Sequence, residues 1–458
     1  MATTLPPRTP AAAASPAVTG LPAVERRPVL PAGFRVGGMA AGIKASGRPD
    51  LALVATIDGY AAVAAVFTPN AFAAAPVRRS RANLAATSGD PRGGYGWARA
   101  VISTSGSANA ATGAAGDADQ VAIGRLAATR LTIDESDVLH LSTGVIGTRL
   151  PLVTIATGLD TLIPRLDASD VAFEAVATAL RTTDSVTKAA TTTIDIDGTA
   201  VTVSGIAKGV GMIHPNMATM LSVVLTDASI EPAVLYDLLR PAAARTWNQL
   251  SVDGDTSTND TVFVLASGAA GNPSIQRGTE AAAALGTAIE AVARDLARQQ
   301  AADGEGATTL VTTVVSGAAD DADARAIARA VVSSSLVKAA AHGKDPNWGR
   351  VAGAAGNART ASAPVLEAAG LDPAEAATRA GQPARLDPDR LRIRIAGHLV
   401  FDGSQGGPVA FDRGAARLAM DAPELRIELD LGLGEGTGEA FGCDLSEAYV
   451  IENSEYTT

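Results

Sequence analysis

Residues 207–221 read Ala-Lys-Gly-Val-Gly-Met-Ile-His-Pro-Asn-Met-Ala-Thr-Met-Leu. Two glycines and a Pro-Asn pair interrupt the chain here, and Ala218-Thr219 stands at the edge of the apolar run 220–225. Because glycine permits unusual backbone angles and proline fixes its own, a hydroxyl at this junction can be held in a strained geometry. Cutting the 218–219 bond would give Thr219 a free α-amine that can act as the base for its own hydroxyl. The stretch predicts a self-cleaving threonine nucleophile, although inert turn-to-strand junctions share this pattern.

Further segments rich in hydroxyls, amides, acids and glycines follow the same order as in a known family. They are 142–147 (STGVIG), 248–261 (NQLSVDGDTSTNDT), 344–350 (KDPNWGR), 441–446 (FGCDLS) and 452–458 (ENSEYTT). Polar loops next to apolar strands are where binding groups usually lie. Together with 207–221, these segments resemble the ornithine acetyltransferase (glutamate N-acetyltransferase) family of arginine biosynthesis. The resemblance covers about residues 33–458.

The resemblance implies an activity. The 218–219 bond would cleave autocatalytically to give an α chain, 31–218, and a β chain, 219–458, after a disordered tail at 1–30. The two chains would assemble as α2β2. Acetyl would pass from N2-acetylornithine to Thr219 and then to L-glutamate in a ping-pong reaction, which gives ornithine and N-acetylglutamate. No cofactor is expected. Acetyl-CoA stays open as a second acetyl donor, which would add an amino-acid N-acetyltransferase activity.

The resemblance also assigns roles to individual residues. Thr219 is the predicted nucleophile, Ala218 and Thr219 flank the cleaved bond, and Thr143 and Gly144 are the predicted oxyanion-hole donors. Each such donor typically lowers the barrier by about 3 kcal/mol. The expected substrate-binding residues are Thr182, Lys208, Thr219, Glu305, Asn453 and Thr458. Thr183 beside Thr182 makes the register of that assignment uncertain.

The spacing of apolar residues predicts a layered α/β (α+β) fold, for which the resemblance implies mixed sheets and packed helices. Strands are predicted at 51–57, 61–67, 200–204, 221–225, 261–266, 309–315, 391–396 and 425–431. Helices are predicted at 122–131, 170–182, 231–250, 279–301 and 321–341. Ser169 or Asp170 suits a helix N-cap, and Pro232 suits a first helical turn.

Composition narrows the possible partners. The chain has 458 residues, of which 47% are hydrophobic and 19% charged, and this balance is typical of a globular protein. A formal net charge of −11 disfavours nucleic acid. No apolar run approaches the roughly 18 residues that span a bilayer. We therefore expect small-molecule substrates, with neither nucleic acid nor membrane as partner.

The same composition predicts no bound metal and no disulfide. The four histidines show no metal-ligand spacing, and Cys443 is the only cysteine, so we expect it to be a small packed residue. Residues 1–30 are acid-poor and rich in Ala, Pro, Ser and Thr, so a transit peptide is an alternative to a disordered tail. We expect a cytoplasmic enzyme, or a mitochondrial matrix enzyme if 1–30 is a targeting signal.

Two positions depart from the family pattern. His214 stands where family members usually carry a small residue, and its imidazole either alters processing or faces solvent. Ser107 replaces an asparagine that is common in the family. Asp345, Asn347 and Arg350 are expected to be structural. Two other functions stay open: an N-terminal-nucleophile amidohydrolase or aminopeptidase, and an uncleaved binding protein without catalytic activity.

Overall fold

The structure is a computed structural model that describes residues 20–214 and 220–455. Its strands are β1 (Phe34–Met39), β2 (Leu51–Thr56), β3 (Ala61–Phe67), β4 (Tyr95–Ala98), β5 (Ala100–Ser107), β6 (Val138–Val145), β7 (Lys188–Ile196), β8 (Thr199–Lys208), β9 (Leu221–Thr226), β10 (Leu250–Ser251), β11 (Thr261–Ala266), β12 (Leu310–Ala318), β13 (Arg392–Ile395), β14 (His398–Asp402), β15 (Gly407–Pro408), β16 (Glu424–Asp430) and β17 (Gly436–Cys443). Its helices are α1 (Ala75–Ser88), α2 (Gly113–Leu131), α3 (Leu152–Leu162), α4 (Asp170–Leu180), α5 (Pro232–Arg245), α6 (Glu280–Ala302), α7 (Asp321–Ser333), α8 (Ser335–His342), α9 (Trp348–Gly356), α10 (Ala363–Ala368), α11 (Pro373–Arg379), α12 (Arg413–Ala419) and α13 (Glu447–Glu455).

The strands form three sheets. The order is β1-β2-β5-β6 in the first, β4-β3-β11-β9-β8-β7 in the second and β10-β17-β12-β16-β13-β14-β15 in the third. Parallel pairs such as β9 with β11 lie beside antiparallel pairs such as β8 with β9, so the sheets are mixed. The predicted α/β class, with mixed sheets and packed helices, is confirmed. The six-stranded second sheet contains strands from both predicted chains.

The second sheet is buried on both faces, which explains its continuous apolar strands. Along β3, Ala62, Ala64 and Val66 belong to one core cluster, which includes residues of α5 and α6. The alternate residues, such as Val63 and Phe67, belong to another cluster, which includes residues of the first sheet, α1 and α4. Helix α4 approaches β1 closely because Gly38 has no side chain: a Cβ there would lie 2.2 Å from the Ala175 carbonyl oxygen.

Helix α6 contacts both the second and the third sheet. Its residues 291–302 are all buried, including Arg298, whose guanidinium pairs with Glu424 of β16 at 2.7 Å. The other face of the third sheet packs against α7, α8 and α9. Helix α6 thus packs between the second sheet and the third sheet.

Most predicted elements are confirmed with small shifts at their ends, but α2 begins at Gly113 rather than 122 and α5 ends at Arg245 rather than 250. Ser169 is the N-cap of α4 and Pro232 begins α5, as predicted. The predicted helix 321–341 is two helices, because Ser334 ends α7 and its side chain caps α8 by accepting a hydrogen bond from the Val337 N–H.

Part of the predicted disordered tail needs correction. Residues 1–19 lie outside the described residues, but contacts with the body of the protein begin by Ala23, whose carbonyl accepts a hydrogen bond from Thr192 Oγ1 at 2.7 Å. Arg26 forms an ion pair with the buried Asp295 at 2.9 Å, and Glu25 pairs with Thr191 of β7. Residues 23–30 therefore belong to the folded body and not to a disordered tail. Within residues 20–214 and 220–455, no helix combines the length and apolar character needed to cross a membrane.

Candidate active site

A cavity of about 140 Å³ lies where β6 and β8 end, beside loops from both predicted chains. Six predicted site residues line it: Thr143, Gly144, Thr182, Lys208, Glu305 and Asn453. Ala218, Thr219 and Thr458 lie outside the described residues. The residue that follows Thr219, Met220, is buried, and Leu221 pairs with Lys208 across β8 and β9. The structure thus brings the described candidates together, while their individual roles stay predictions.

The ends of β5 and β6 provide the cavity with a tightly packed backbone wall. Gly144 has φ +123°, and a Cβ there would lie 2.5 Å from the carbonyl carbon of Gly106. Thr143 beside it is buried and accepts a hydrogen bond from Lys208 Nζ at 3.2 Å. Because a lysine ammonium can only donate, this contact leaves the Thr143 hydroxyl hydrogen available to a developing oxyanion.

Glu305 provides a carboxylate to the same cavity. One carboxylate oxygen accepts a hydrogen bond from Thr183 Oγ1 at 2.9 Å and the other from Asn453 Nδ2 at 3.1 Å. Its backbone N–H donates to the Val210 carbonyl at 2.8 Å. Gly211 faces this carboxylate so closely that a Cβ would lie 2.2 Å from Oε2. The carboxylate is therefore fixed in position, because two different chain segments each donate a hydrogen bond to one of its oxygens.

Lys208 provides the positive charge. Burial lowers the pKa of its ammonium below the ordinary value, while the negative charges of Asp184, Glu305 and Asp260 oppose that effect. The Gln300 side chain donates to its backbone carbonyl at 2.9 Å, which fixes the end of β8 against α6. With Lys208 and Glu305 lining one cavity, the site can bind a molecule that carries both a carboxylate and an ammonium.

A buried carboxylate joins the segments that carry these side chains. Asp184 accepts hydrogen bonds from the N–H groups of Thr182 at 3.0 Å and Gly209 at 2.8 Å, and from Lys188 Nζ at 2.8 Å. Lys188 also contacts Asp303 at 2.6 Å, two residues before Glu305. Burial alone would raise the pKa of Asp184, but the charges of Lys188 and Lys208 hold it below its ordinary range. This network fixes three segments of the site relative to one another.

Comparison with known proteins identifies the family. The model of the ArgJ family matches residues 35–458. The chain belongs to the ArgJ family. It is 44% identical over 433 residues to the chloroplastic arginine biosynthesis bifunctional protein ArgJ of Ostreococcus lucimarinus, across 93% of this chain and 87% of that protein. It is 43% identical over 430 residues to the arginine biosynthesis bifunctional protein ArgJ of Thermus thermophilus, across 94% of this chain and 99% of that protein.

A solved structure of the ArgJ protein of Bacillus halodurans is 36% identical and covers 52% of this chain and 100% of that chain, with a TM-score of 0.45. ArgJ membership, shown by the match over 35–458, confirms the predicted family and the predicted enzyme class, an acyltransferase.

Asn259 is a cavity residue that the sequence analysis did not single out within the polar segment 248–261 of this ArgJ chain. Its side-chain NH2 group donates to the carbonyls of Ala108 at 2.6 Å and Ser142 at 2.8 Å. Thr258 Oγ1 in turn donates to Asn259 Oδ1 at 2.6 Å. Asn259 therefore positions the backbone that leads into the predicted oxyanion hole. Asp184 was also missed, since nothing in its local sequence indicates its distant partners.

The two departures from the ArgJ pattern have structural explanations. His214 is partly buried, and burial together with the charge of Arg329 lowers the pKa of its imidazole to about 4. His214 is therefore neutral near pH 7, and its Nδ1 lies 3.0 Å from Ser251 Oγ. Ser107 Oγ donates to the Thr148 carbonyl at 2.9 Å and so supports the turn after β6.

The remaining sequence predictions concern groups outside the cavity. Cys443 is buried, and burial raises the pKa of its thiol, which suits a packed residue. Asn347 caps α9 by accepting a hydrogen bond from the Arg350 N–H. Across the described ranges, no cluster of three or more His, Cys, Asp or Glu side chains is placed to hold a metal ion. The absence of a metal or other cofactor stays a prediction.

Proposed function

We propose that this ArgJ-family acyltransferase moves acetyl from N2-acetylornithine to L-glutamate through an acyl-enzyme on Thr219. One observation carries the proposal: Lys208 and Glu305 line the same small cavity as Thr143 and Gly144. Lys208 pairs with the substrate α-carboxylate and Glu305 with the side-chain ammonium of ornithine. The name of these relatives, arginine biosynthesis bifunctional protein, is consistent with this pathway.

The proposed processing step makes the nucleophile. The Thr219 hydroxyl oxygen attacks the Ala218 carbonyl carbon, a C–O bond forms and the peptide C–N bond breaks, which frees the Thr219 α-amine. Water then hydrolyses the ester, which leaves a carboxylate on Ala218 and restores the Thr219 hydroxyl.

The proposed transfer has two half-reactions. The α-amine of Thr219 takes the proton from its own hydroxyl, whose oxygen attacks the acetyl carbonyl. The oxyanion accepts hydrogen bonds from the Thr143 and Gly144 donors. The acetyl C–N bond breaks, and ornithine leaves with the transferred proton. The glutamate amine then attacks the ester, and the C–O bond to Thr219 breaks as the hydroxyl regains a proton. Acetyl-CoA is the second donor, which matches the word bifunctional in the relatives' name.

We also propose an α2β2 assembly of processed chains in the cytoplasm. The α chain ends at Ala218, the β chain is 219–458, and Thr458 joins Asn453 in binding substrate. N-terminal sequencing of the protein from its native cells tests the location: removal of a segment that ends before Ala23 would favour an organelle.

Intact mass spectrometry and a transfer assay test the proposal together. The purified protein should give two chains, with Thr219 as a new N-terminus, and should consume N2-acetylornithine only when glutamate is present. Thr219→Ala should abolish both cleavage and transfer, whereas Thr219→Ser should retain part of each. Consumption without glutamate would instead favour an amidohydrolase. An uncleaved, inactive wild-type chain would favour a binding protein.

A further inference from the structure

The loop between β1 and β2 is tied to a buried carboxylate. The side chain of Asp50 accepts hydrogen bonds from the backbone N–H groups of all four residues 41–44, at distances of 2.6–3.2 Å. The Asp50 carbonyl in turn accepts a hydrogen bond from the Ser105 N–H of β5 at 2.8 Å. Because a carboxylate binds backbone N–H groups strongly, these contacts fix the backbone from which the Lys44 side chain begins.

The stem of Lys44 packs against the wall of the candidate site. A Cβ on Gly106 would lie 3.3 Å from Lys44 Cγ, so the lysine stem fills the space beside this glycine. Gly106 pairs with Gly144 across β5 and β6, and a Cβ on Gly144 would lie 2.5 Å from the Gly106 carbonyl carbon. Lys44, Gly106 and Gly144 are therefore packed in succession, and the loop supports the predicted oxyanion donor from behind.

The side-chain nitrogen of Lys44 reaches a second part of the site. Nζ donates to the Arg181 carbonyl at 2.5 Å and to the Pro49 carbonyl at 2.7 Å. The Arg181 carbonyl belongs to the same peptide group as the N–H of Thr182, which lines the cavity and donates to Asp184 at 3.0 Å. This one peptide group is thus held at both ends, at its oxygen by Lys44 and at its nitrogen by Asp184.

The contacts of Lys44 do not depend on its charge. Burial lowers the pKa of the Lys44 ammonium to about 8, and the positive charge of Arg48 adds to that effect. A neutral amine still has two N–H groups, one for each carbonyl, so both hydrogen bonds persist when the proton is lost. In this respect Lys44 differs from Lys208, whose positive charge pairs with the substrate carboxylate in the proposed function.

We propose that Lys44 is a positioning residue of the acyl-transfer site. It holds the Arg181–Thr182 peptide group at a fixed distance from the Gly106–Gly144 wall, so that the bound substrate meets the oxyanion donor. Both carbonyls that Lys44 binds belong to the backbone, so it acts through Thr182 and Gly144 and not on the acetyl group itself. The inference rests on the proposed function, because only that reaction requires Thr182 and Gly144 to act on one substrate.

Lys44→Met tests the inference, because methionine keeps an apolar stem against Gly106 and removes both N–H donors. Single-turnover acetylation of the processed enzyme by N2-acetylornithine gives a maximal rate constant and a half-saturating concentration, and neither depends on the fraction of enzyme that is folded. The rate constant should fall about tenfold and the half-saturating concentration should rise about fivefold, since the loop that carries Thr182 moves relative to the oxyanion donor.

Two further variants serve as controls. Lys44→Arg can donate to both carbonyls and should recover most of the loss in both constants. Arg48→Gln removes a positive charge from the same loop, but Arg48 is exposed and its side chain contacts Ser46 Oγ at 3.4 Å, outside the site. Arg48→Gln should therefore keep the wild-type values of both constants.

The outcomes separate this inference from the proposed function. Wild-type constants in Lys44→Met would overturn the inference, and so would a smaller amplitude with the same constants, which would show a role in folding alone. Equal losses in Lys44→Met and Lys44→Arg would overturn it too, because the donors would then not be the cause. A Lys44→Met chain that is not processed is compared in the Thr219→Ala background by calorimetry with ornithine, where an unchanged Kd would overturn the inference. Absence of transfer by the wild-type enzyme would contradict the proposed function instead.

Discussion

Replacing Asp184 by Asn changes the network that holds the candidate site together. The Asp184 side chain is fully buried, and so is that of Lys188. Oδ1 accepts hydrogen bonds from Lys188 and from the Gly209 N–H, whereas Oδ2 accepts one from the Thr182 N–H. An asparagine keeps the shape and an acceptor at Oδ1, but its NH2 group then faces the Thr182 N–H, donor against donor. The substitution therefore frees the backbone at Thr182, in the loop that is predicted to bind substrate.

The expected cost follows from these contacts. An unsatisfied buried donor costs about 1–3 kcal/mol, and removing one charge of a buried pair costs about 3–5 kcal/mol. Lys188 retains Asp303 at 2.6 Å, so we expect about 3 kcal/mol, at the lower end of that range. The loop that carries Thr182 and Thr183 loses its anchor, so the KM for N2-acetylornithine should rise about tenfold, which corresponds to about 1.4 kcal/mol.

Urea unfolding and steady-state kinetics measure the two effects. Asp117→Asn is the matched control, because Asp117 pairs with Arg78 and both side chains are about half exposed. Such a surface pair contributes less than about 1 kcal/mol. The reasoning is wrong if Asp184→Asn is as stable as Asp117→Asn. A loss of stability with a KM that does not change would show that Asp184 supports the fold without positioning the site.

Three further predictions concern the cavity and the chain break. Gly144→Ala should slow single-turnover acetylation of the enzyme at least about 100-fold, because the added Cβ collides with Gly106 and displaces a predicted oxyanion donor. Gly147→Ala is the control: Gly147 also has a positive φ, but a Cβ there would meet no atom within 4 Å, so this variant should stay active. Since burial lowers the pKa of Lys208, its charge is present at low pH and is lost as pH rises through that pKa. The KM for N2-acetylornithine should then increase at alkaline pH, and Lys208→Arg should remove that pH dependence; the same increase in the Arg variant would point to another group. After cleavage of the 218–219 bond, both chains should co-elute in native gel filtration and separate only in denaturant, and separation without denaturant would contradict the shared sheet.

The sequence predicted four of the six strands of the second sheet, β3, β8, β9 and β11, because both faces of this sheet are buried, but it did not predict β4 and β7. Strands such as β3 and β11 are continuous apolar runs with turn residues at their ends. Strands β5 and β6 were missed because hydroxyl residues interrupt their apolar pattern. These hydroxyls are satisfied by each other: Thr104 Oγ1 lies 2.9 Å from Ser142 Oγ across the two strands. A single sequence gives no indication of such pairing before the register of the strands is known.

The candidate site, too, contains residues that the sequence predicted and residues that it did not. Resemblance to a family predicted residues that line one cavity, including Thr143, Lys208 and Glu305. The residues that position them were not predicted, since Asp184 and Asn259 act through backbone groups far away in sequence. A side chain that accepts from main-chain N–H groups imposes no residue type on its partners, so neither spacing nor composition reveals the contact. Family motifs predicted residues that line the cavity, and only the fold identified the residues that support them.

The topology explains how a chain can be cut at its site and keep its fold. Strand β9 pairs with β8 on one side and with β11 on the other, and the central sheet therefore contains strands from before and after the predicted break. Met220 is buried at the start of β9, and its carbonyl accepts a hydrogen bond from the Thr261 N–H at 2.8 Å. The residue that follows the predicted new N-terminus is thus anchored in the sheet, next to Leu221, which pairs with Lys208. Cleavage would change the chemistry of one amine while the hydrogen bonds that hold β9 stay in place.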